Sequence, residues 1–129
     1  AKSIAIGNPA DGYYAAQVVR DSGGWGESAS DPEIIEAIKL LARTEGIWTE
    51  PAGGTTLAVA MKLIQQGRIP RDESIVISIT GNGLKTLEVV ANELPYPVAI
   101  DPKISEFDKL LQQITETGPA THARPPVQV

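Results

Sequence analysis

A β-branched apolar run ends in a hydroxyl residue and a glycine-punctuated turn, Thr80-Gly81-Asn82-Gly83-Leu84-Lys85. The Thr80 hydroxyl can both donate and accept a hydrogen bond at the lip of such a turn. Gly81 and Gly83 can adopt positive φ and let a ligand approach the backbone closely. The pattern is typical of a cofactor-facing turn, although a threonine that only caps the strand and satisfies amides of the loop would fit the same residue types.

The segment before this turn predicts a sheet that would position it. Residues 75–79 are almost continuously apolar, which is typical of a strand buried on both faces of a parallel sheet. Further short strands are predicted at 3–6, 25–28, 47–49 and 98–100. Their alternation with helical patterns predicts an α/β fold, a three-layer αβα arrangement with a mainly parallel sheet and right-handed crossovers. The loops 7–12, 50–54 and 80–85 would then share the carboxyl edge of the sheet, where such folds bind ligands.

Helix signals separate the predicted strands. Helices are expected at 13–20, from the cap Ser30 to the stop at Gly46, at 52–66, at 86–92 and over the amphipathic segment from Ile104 to Ile114. Ser30 and Glu33 form a capping-box pattern, in which each side chain can satisfy the other residue's free backbone amide. Residues 1–114 are predicted to form one α/β domain, and residues 115–129, which lack apolar periodicity and contain prolines, to form a flexible tail.

Composition narrows the classes of function. The chain has 129 residues, 42% of them hydrophobic, which is enough for one domain with its own core. It has no cysteine and a single histidine, His122, so thiolate catalysis is excluded and no metal site is expected. The net charge of -5, without a basic cluster, argues against nucleic-acid binding. No membrane span or secretory signal is recognisable, and a cytoplasmic protein is expected.

Three segments carry a family resemblance over roughly residues 3–110. They are Ile6-Gly7-Asn8-Pro9-Ala10, Glu50-Pro51-Ala52 and, as the specific part, Thr80-Gly81-Asn82-Gly83-Leu84-Lys85. Together they resemble the C-terminal part of the threonine synthase family, whose members use pyridoxal 5′-phosphate and have the tryptophan-synthase-β-like fold, PLP fold type II. The resemblance implies a lyase of threonine biosynthesis, which converts O-phospho-L-homoserine and water to L-threonine and phosphate.

The resemblance also implies cofactor-binding residues. Thr80 matches the hydroxyl that hydrogen-bonds the pyridine nitrogen, with Gly81 and Asn82 beside it. Gly7 and Asn8 match the loop near the cofactor's phosphate, and Asn8 is equally a turn residue before a proline. Glu50 matches the strand-to-helix turn that lines the pocket, and it is equally a carboxylate favoured by the dipole at a helix N-terminus.

No residue of this chain matches the family's catalytic lysine. The resemblance places that Schiff-base lysine, and the glycine-rich phosphate loop, in the N-terminal half of the enzyme, and Lys85 instead belongs to the Thr80 turn. The chain begins without Met and enters an apolar run at once, so we expect a fragment of a longer enzyme, inactive alone, whose partner is the missing N-terminal part. The alternative is a stand-alone, non-catalytic α/β binding or regulatory module. The sequence leaves the oligomeric state open and allows a homodimer.

Overall fold

The computed structural model describes residues 1–92, 94 and 97–118, and this part of the chain is mainly helical. The helices are α1 (Gly12–Asp21), α2 (Asp31–Glu45), α3 (Pro51–Gln65) and α4 (Ile104–Thr117), with 3₁₀ segments at Lys2–Ile4 and Gly83–Val89. By its contacts the chain divides into two compact units, Ala1–Val89 and Val90–Val129. The expected helices at 13–20, from Ser30 and at 52–66 are confirmed as α1, α2 and α3.

The core of the first unit lies between α2 and α3. The apolar face of α2 is buried through Ile34, Ile38 and Leu41. On α3, a Cβ at Gly54 would lie 2.6 Å from Ile38 Cγ1 and 2.9 Å from the Ile34 carbonyl oxygen. Because these distances leave no room for a side chain, the glycine lets the two helices pack closely. α3 is buried on one side, through Ala58 and Leu63, while Ile64 is exposed.

The predicted capping box at the start of α2 is confirmed. The Ser30 N–H donates to Glu33 Oε2 at 2.7 Å, and the Ser30 hydroxyl donates to the same oxygen at 2.8 Å. Lys62 of α3 places its Nζ 2.9 Å from that oxygen. The Ser30 N–H first, then the Lys62 ammonium and the Ser30 hydroxyl, lower the pKa of Glu33 from 4.5 to about 2. One carboxylate therefore caps α2 and ties it to α3. At the other end of α2, Gly46 adopts the left-handed conformation expected of a helix stop, with φ 67°.

The predicted mainly parallel sheet is not formed by the described residues. Residues 2–4 are a 3₁₀ turn, the segments 25–28, 75–79 and 98–100 have no strand partner, and the β pairing there is an isolated antiparallel bridge between Thr49 and Asn82. In the 75–79 segment Val76 is 92% exposed. An apolar β-branched sequence favours an extended backbone, but a strand of a sheet also needs neighbours that accept and donate its ladder hydrogen bonds.

One further expectation changes in detail. The helix expected at 86–92 is a 3₁₀ segment that starts earlier, at Gly83, and is kinked at Thr86, where φ is -140°. Short 3₁₀ pieces of this kind are common where a chain turns tightly between longer elements. No helix of residues 1–92, 94 and 97–118 is long and apolar enough to cross a membrane.

In the second unit the amphipathic helix expected from Ile104 is confirmed as α4. The helix carries an i,i+3 ion pair between Lys109 Nζ and Glu106 Oε1 at 2.8 Å. It continues through Thr117 and ends at Gly118, past the boundary expected at residue 115, because no proline or glycine interrupts it earlier. The rest of the predicted tail, residues 119–129, lies outside the described residues.

The Glu33 interactions predict an acid-sensitive contribution to stability. Because the pKa of Glu33 is lower in the folded chain, its stabilisation is complete above about pH 4.5 and is lost as the pH falls towards 2. Urea midpoints of the wild type and Glu33→Gln, measured across this range, should therefore converge as the pH falls. Glu45→Gln, at an exposed position in the last turn of α2, is the control. A constant gap between wild type and Glu33→Gln would contradict the assignment.

Candidate functional site

Two of the three predicted site loops lie side by side in the first unit. The Glu50 N–H donates to the Gly81 carbonyl at 3.1 Å, and the Gly83 N–H donates to the Trp48 carbonyl at 3.0 Å. Between these bonds Thr49 and Asn82 form the antiparallel bridge. The turn that precedes α3 and the turn that carries Thr80 are thus joined through their backbones, although more than thirty residues separate them in the sequence.

Thr49 is the buried centre of this junction. It is 1% exposed, and its hydroxyl lies 3.2 Å from both the Gly81 and the Glu50 carbonyl oxygens, where it can donate to either. A Cβ at Gly53 would overlap this hydroxyl, so the glycine in the first turn of α3 makes room for it. Sequence reasoning missed Thr49. The sequence signal that could have pointed to it is Gly53, four residues later. A glycine at that spacing leaves space beside the Thr49 side chain.

Gly81 and Gly83 are needed for close contacts and not for an unusual backbone. Neither has positive φ, so the conformational reason anticipated from the sequence is wrong. A Cβ at Gly81 would overlap the Glu50 carboxylate, and a Cβ at Gly83 would overlap the Trp48 indole and lie 2.7 Å from the Thr49 carbonyl oxygen. The close approach that glycine permits is made here by the neighbouring turn of the same chain.

Glu50 connects the two turns through its side chain as well. Its carboxylate is 13% exposed and lies 3.4 Å from Lys85 Nζ, whose side chain is 65% exposed. Glu50 also occupies the N-cap position of α3 without a side-chain capping bond, and Pro51 is the first residue of that helix. The carboxylate therefore lies at a helix N-terminus, where the dipole favours it, and it also has a specific cation as a partner.

The remaining residues of the Thr80 turn differ in what they offer a ligand. Thr80 is exposed, and among the described residues its hydroxyl has no hydrogen-bond partner. Asn82 is exposed too, but its Oδ1 accepts the Leu84 N–H at 2.8 Å, which is a local turn bond. Of the expected cofactor-binding residues in this turn, Thr80 offers a hydroxyl that can both donate and accept, while Asn82 keeps its Nδ2 amide group as a donor.

Gly7 and Asn8 are not hydrogen-bonded to the two joined turns. Both are exposed, and within the part of the chain that the structure describes neither makes a hydrogen bond to either turn. A Cβ at Gly7 would meet nothing within 4 Å. The sequence placed loop 7–12 beside loops 50–54 and 80–85 because all three would follow parallel strands of one sheet. The described residues do not form that sheet, so this reason for the loops to meet is absent.

The joined turns fit one part of a pyridoxal-phosphate site. A neutral hydroxyl on a fixed turn suits a ring nitrogen, which needs one hydrogen bond and tolerates a neutral partner. The nearby ammonium of Lys85 is paired with Glu50. The residues present therefore fit the ring nitrogen of the cofactor, and they do not supply the cluster of donors that its phosphate requires.

Packing of the junction predicts the effect of a methyl group at Gly83. Gly83→Ala should destabilise the chain by roughly 1–3 kcal/mol, because its Cβ meets backbone and a packed indole that cannot move cheaply. The free energy of unfolding from urea titrations measures this. Gly26→Ala is the matched control, since a Cβ there meets nothing within 4 Å and its φ is not positive. Equal stability of the two variants would show that the turns are not packed in this way.

The chain is similar in sequence to known pyridoxal-phosphate dependent enzymes. The family model of the pyridoxal-phosphate dependent enzymes matches residues 1–81, which include Thr49, Glu50 and Thr80. The chain is 40% identical over 114 residues to a threonine synthase of Methanocaldococcus jannaschii, 88% of this chain and 28% of the relative. It is 42% identical over 104 residues to that of Methanosarcina acetivorans, 81% of this chain and 26% of the relative.

A third relative has the same name and a similar extent. It is the threonine synthase of Mycobacterium bovis, 38% identical over 112 residues, which are 85% of this chain and 31% of the relative. The resemblance inferred from the Thr80 turn is confirmed by these relatives, and the chain spans between a quarter and a third of their length. By its match over residues 1–81, the chain belongs to the family of pyridoxal-phosphate dependent enzymes.

Proposed function

We propose that this chain is the C-terminal part of a threonine synthase, in which it supplies the hydrogen bond to the cofactor's ring nitrogen. The complete enzyme would convert O-phospho-L-homoserine and water to L-threonine and phosphate, as a lyase of threonine biosynthesis in the cytoplasm. Residues 1–114 would belong to its C-terminal domain in PLP fold type II. The relatives named threonine synthase, at about 40% identity, support this assignment.

The observation that carries the proposal is the available hydroxyl of Thr80 on a fixed turn. Its neighbour Gly81 is held by the Thr49 hydroxyl and by the Glu50 N–H, while the Thr80 side chain is exposed. When bound, pyridoxal phosphate withdraws electrons from the carbon atoms of an amino-acid substrate. A hydroxyl partner at the ring nitrogen can hold the ring, yet it does not favour nitrogen protonation as a carboxylate would. Thr80 would therefore position the ring and moderate how strongly it withdraws electrons.

The amine that binds the cofactor covalently is proposed to lie elsewhere in the complete polypeptide. Lys85 is close to Thr80 in sequence, but its ammonium is paired with Glu50 and remains 65% exposed. A lysine used for covalent chemistry must be free to approach the cofactor's aldehyde carbon, and the Lys85 ammonium is instead occupied by the Glu50 carboxylate. These contacts fit a role of Lys85 in anchoring the turn.

The proposal is tested with the complete protein that contains this chain. Incubation with pyridoxal phosphate and O-phospho-L-homoserine should release phosphate and form L-threonine in equal amounts, measured by a phosphate assay and by amino-acid analysis. L-Serine and L-threonine serve as control substrates. Formation of a keto acid from either, with no threonine from O-phospho-L-homoserine, would assign the protein to another reaction of the family. Failure to bind the cofactor would favour a non-catalytic module.

Substitution of Thr80 in the complete protein tests the role of its hydroxyl. Thr80→Ala should keep the fold, shift the visible absorption of the bound cofactor and reduce turnover roughly ten- to a hundredfold, because loss of a partner for a buried polar group costs about 1–3 kcal/mol. Thr80→Ser keeps the hydroxyl and should be milder. Full activity and an unchanged spectrum in Thr80→Ala would rule out contact with the ring.

Borohydride reduction tests the assignment of the covalent amine. The isolated chain, treated with pyridoxal phosphate and borohydride, should yield no lysine that is labelled in stoichiometric amount, because its lysines are solvated or paired with carboxylates. Mass spectrometry of tryptic peptides identifies any modified residue. Stoichiometric labelling of Lys85 would contradict both the assignment and the proposed anchoring role.

A further inference from the structure

We infer that Glu50 and Lys85 form a positioning pair that fixes Gly81, the residue after Thr80, and so presents the Thr80 hydroxyl to the cofactor's ring nitrogen in one orientation. The inference rests on the proposed function. It concerns residues that would not touch the ring themselves, and it gives Glu50 a different role from direct cofactor binding.

The Glu50 carboxylate packs directly against the Thr80 turn. It lies where a Cβ of Gly81 would be, against the residue that follows Thr80. The Glu50 N–H bonds the Gly81 carbonyl at 3.1 Å, and the Thr49 hydroxyl lies 3.2 Å from the same oxygen. Gly81 is thus held at its carbonyl by two donors and at its α-carbon by a carboxylate. Gly81, the residue that follows Thr80, therefore has little conformational freedom.

Burial of the Glu50 carboxylate calls for a partner. The Glu50 side chain is 13% exposed and has lost most of its hydration, and a charged or hydrogen-bonded partner offsets that loss. Among the described residues, the charged partner of Glu50 is Lys85, with Nζ 3.4 Å from Oε2. Lys85 lies five positions after Thr80 and therefore closes the turn from its far end. The pair links the start of α3 to both ends of the Thr80 turn.

The pair between Glu50 and Lys85 is both long-range in sequence and largely buried at its carboxylate. The pair between Lys109 and Glu106 connects neighbouring turns of one helix, where it can stabilise only that helix. The pair between Glu33 and Lys62 also joins distant segments, but the Glu33 side chain is 42% exposed, whereas that of Glu50 is 13% exposed. Loss of the Glu50–Lys85 pair should therefore loosen the Thr80 turn locally and have little effect on the free energy of unfolding of the whole chain.

Hydrogen exchange of the complete protein, before cofactor is added, tests the pair directly. Lys85→Met should speed exchange of the Glu50 and Gly83 amides roughly two- to fivefold, the range expected of a single ion pair that is partly screened by solvent. Lys85→Arg keeps the cation and should exchange like the wild type. Lys109→Met is the matched control and should leave both amides unchanged. Unchanged exchange in Lys85→Met would overturn the inference.

Cofactor binding then tests the orientation of the hydroxyl. Glu50→Gln and Lys85→Met should each shift the visible spectrum of the bound cofactor in the direction of Thr80→Ala, and each should weaken its binding severalfold. Added to Thr80→Ala, neither should cause a further shift, because both act through the same hydroxyl. Additive shifts, or a wild-type spectrum in Lys85→Met, would overturn the inference.

These outcomes are distinct from failure of the proposed function. If the wild-type protein forms L-threonine while the pair variants behave like the wild type, the function stands and the positioning role is wrong. If the wild-type protein binds no pyridoxal phosphate, the proposed function and the positioning role are both wrong. Measurement of cofactor binding by the wild type shows this before any variant is made.

Discussion

The arrangement of the candidate site depends on one acceptor, the carbonyl oxygen of Gly81. It receives the Glu50 N–H at 3.1 Å and lies 3.2 Å from the buried Thr49 hydroxyl, and these bonds join two turns that are distant in sequence. The Thr49 hydroxyl is buried and costly to leave unpaired, so its bond to this carbonyl helps to hold the two turns together. The position of Thr80 follows from it, because its neighbour cannot move without breaking these bonds.

Small residues make the junction possible. Gly53 leaves space for the Thr49 hydroxyl, Gly81 for the Glu50 carboxylate, and Gly83 for the Trp48 indole. The Trp48 Nε1–H is buried there without a hydrogen-bond partner among the described residues. In each case the absent side chain is replaced by a group from another part of the same chain. A glycine-rich turn in a sequence is therefore as much evidence of close internal packing as of a ligand.

The helical half of the fold is strongly determined by local sequence, and the extended half is not. The Ser30–Glu33 capping box, the apolar face of α2 and the stop at Gly46 all act within a few residues, and each was predictable. The 75–79 segment has an equally clear pattern, but a strand is completed by neighbours, and the described residues provide none. The local pattern predicts that residues 75–79 prefer an extended backbone, but it does not predict which strand they would pair with.

For the site itself, sequence alone determined the residue types: a hydroxyl at Thr80, glycines around it, and a family resemblance that the comparisons confirm. It could not determine which residues meet. That the Glu50 carboxylate lies on Gly81, that Lys85 is its partner and that Thr49 is buried between the turns depend on contacts across some thirty residues. Tertiary structure decided them, because a hydrogen bond or an ion pair depends on distances in space, and residue spacing fixes those only within a helix or a short turn.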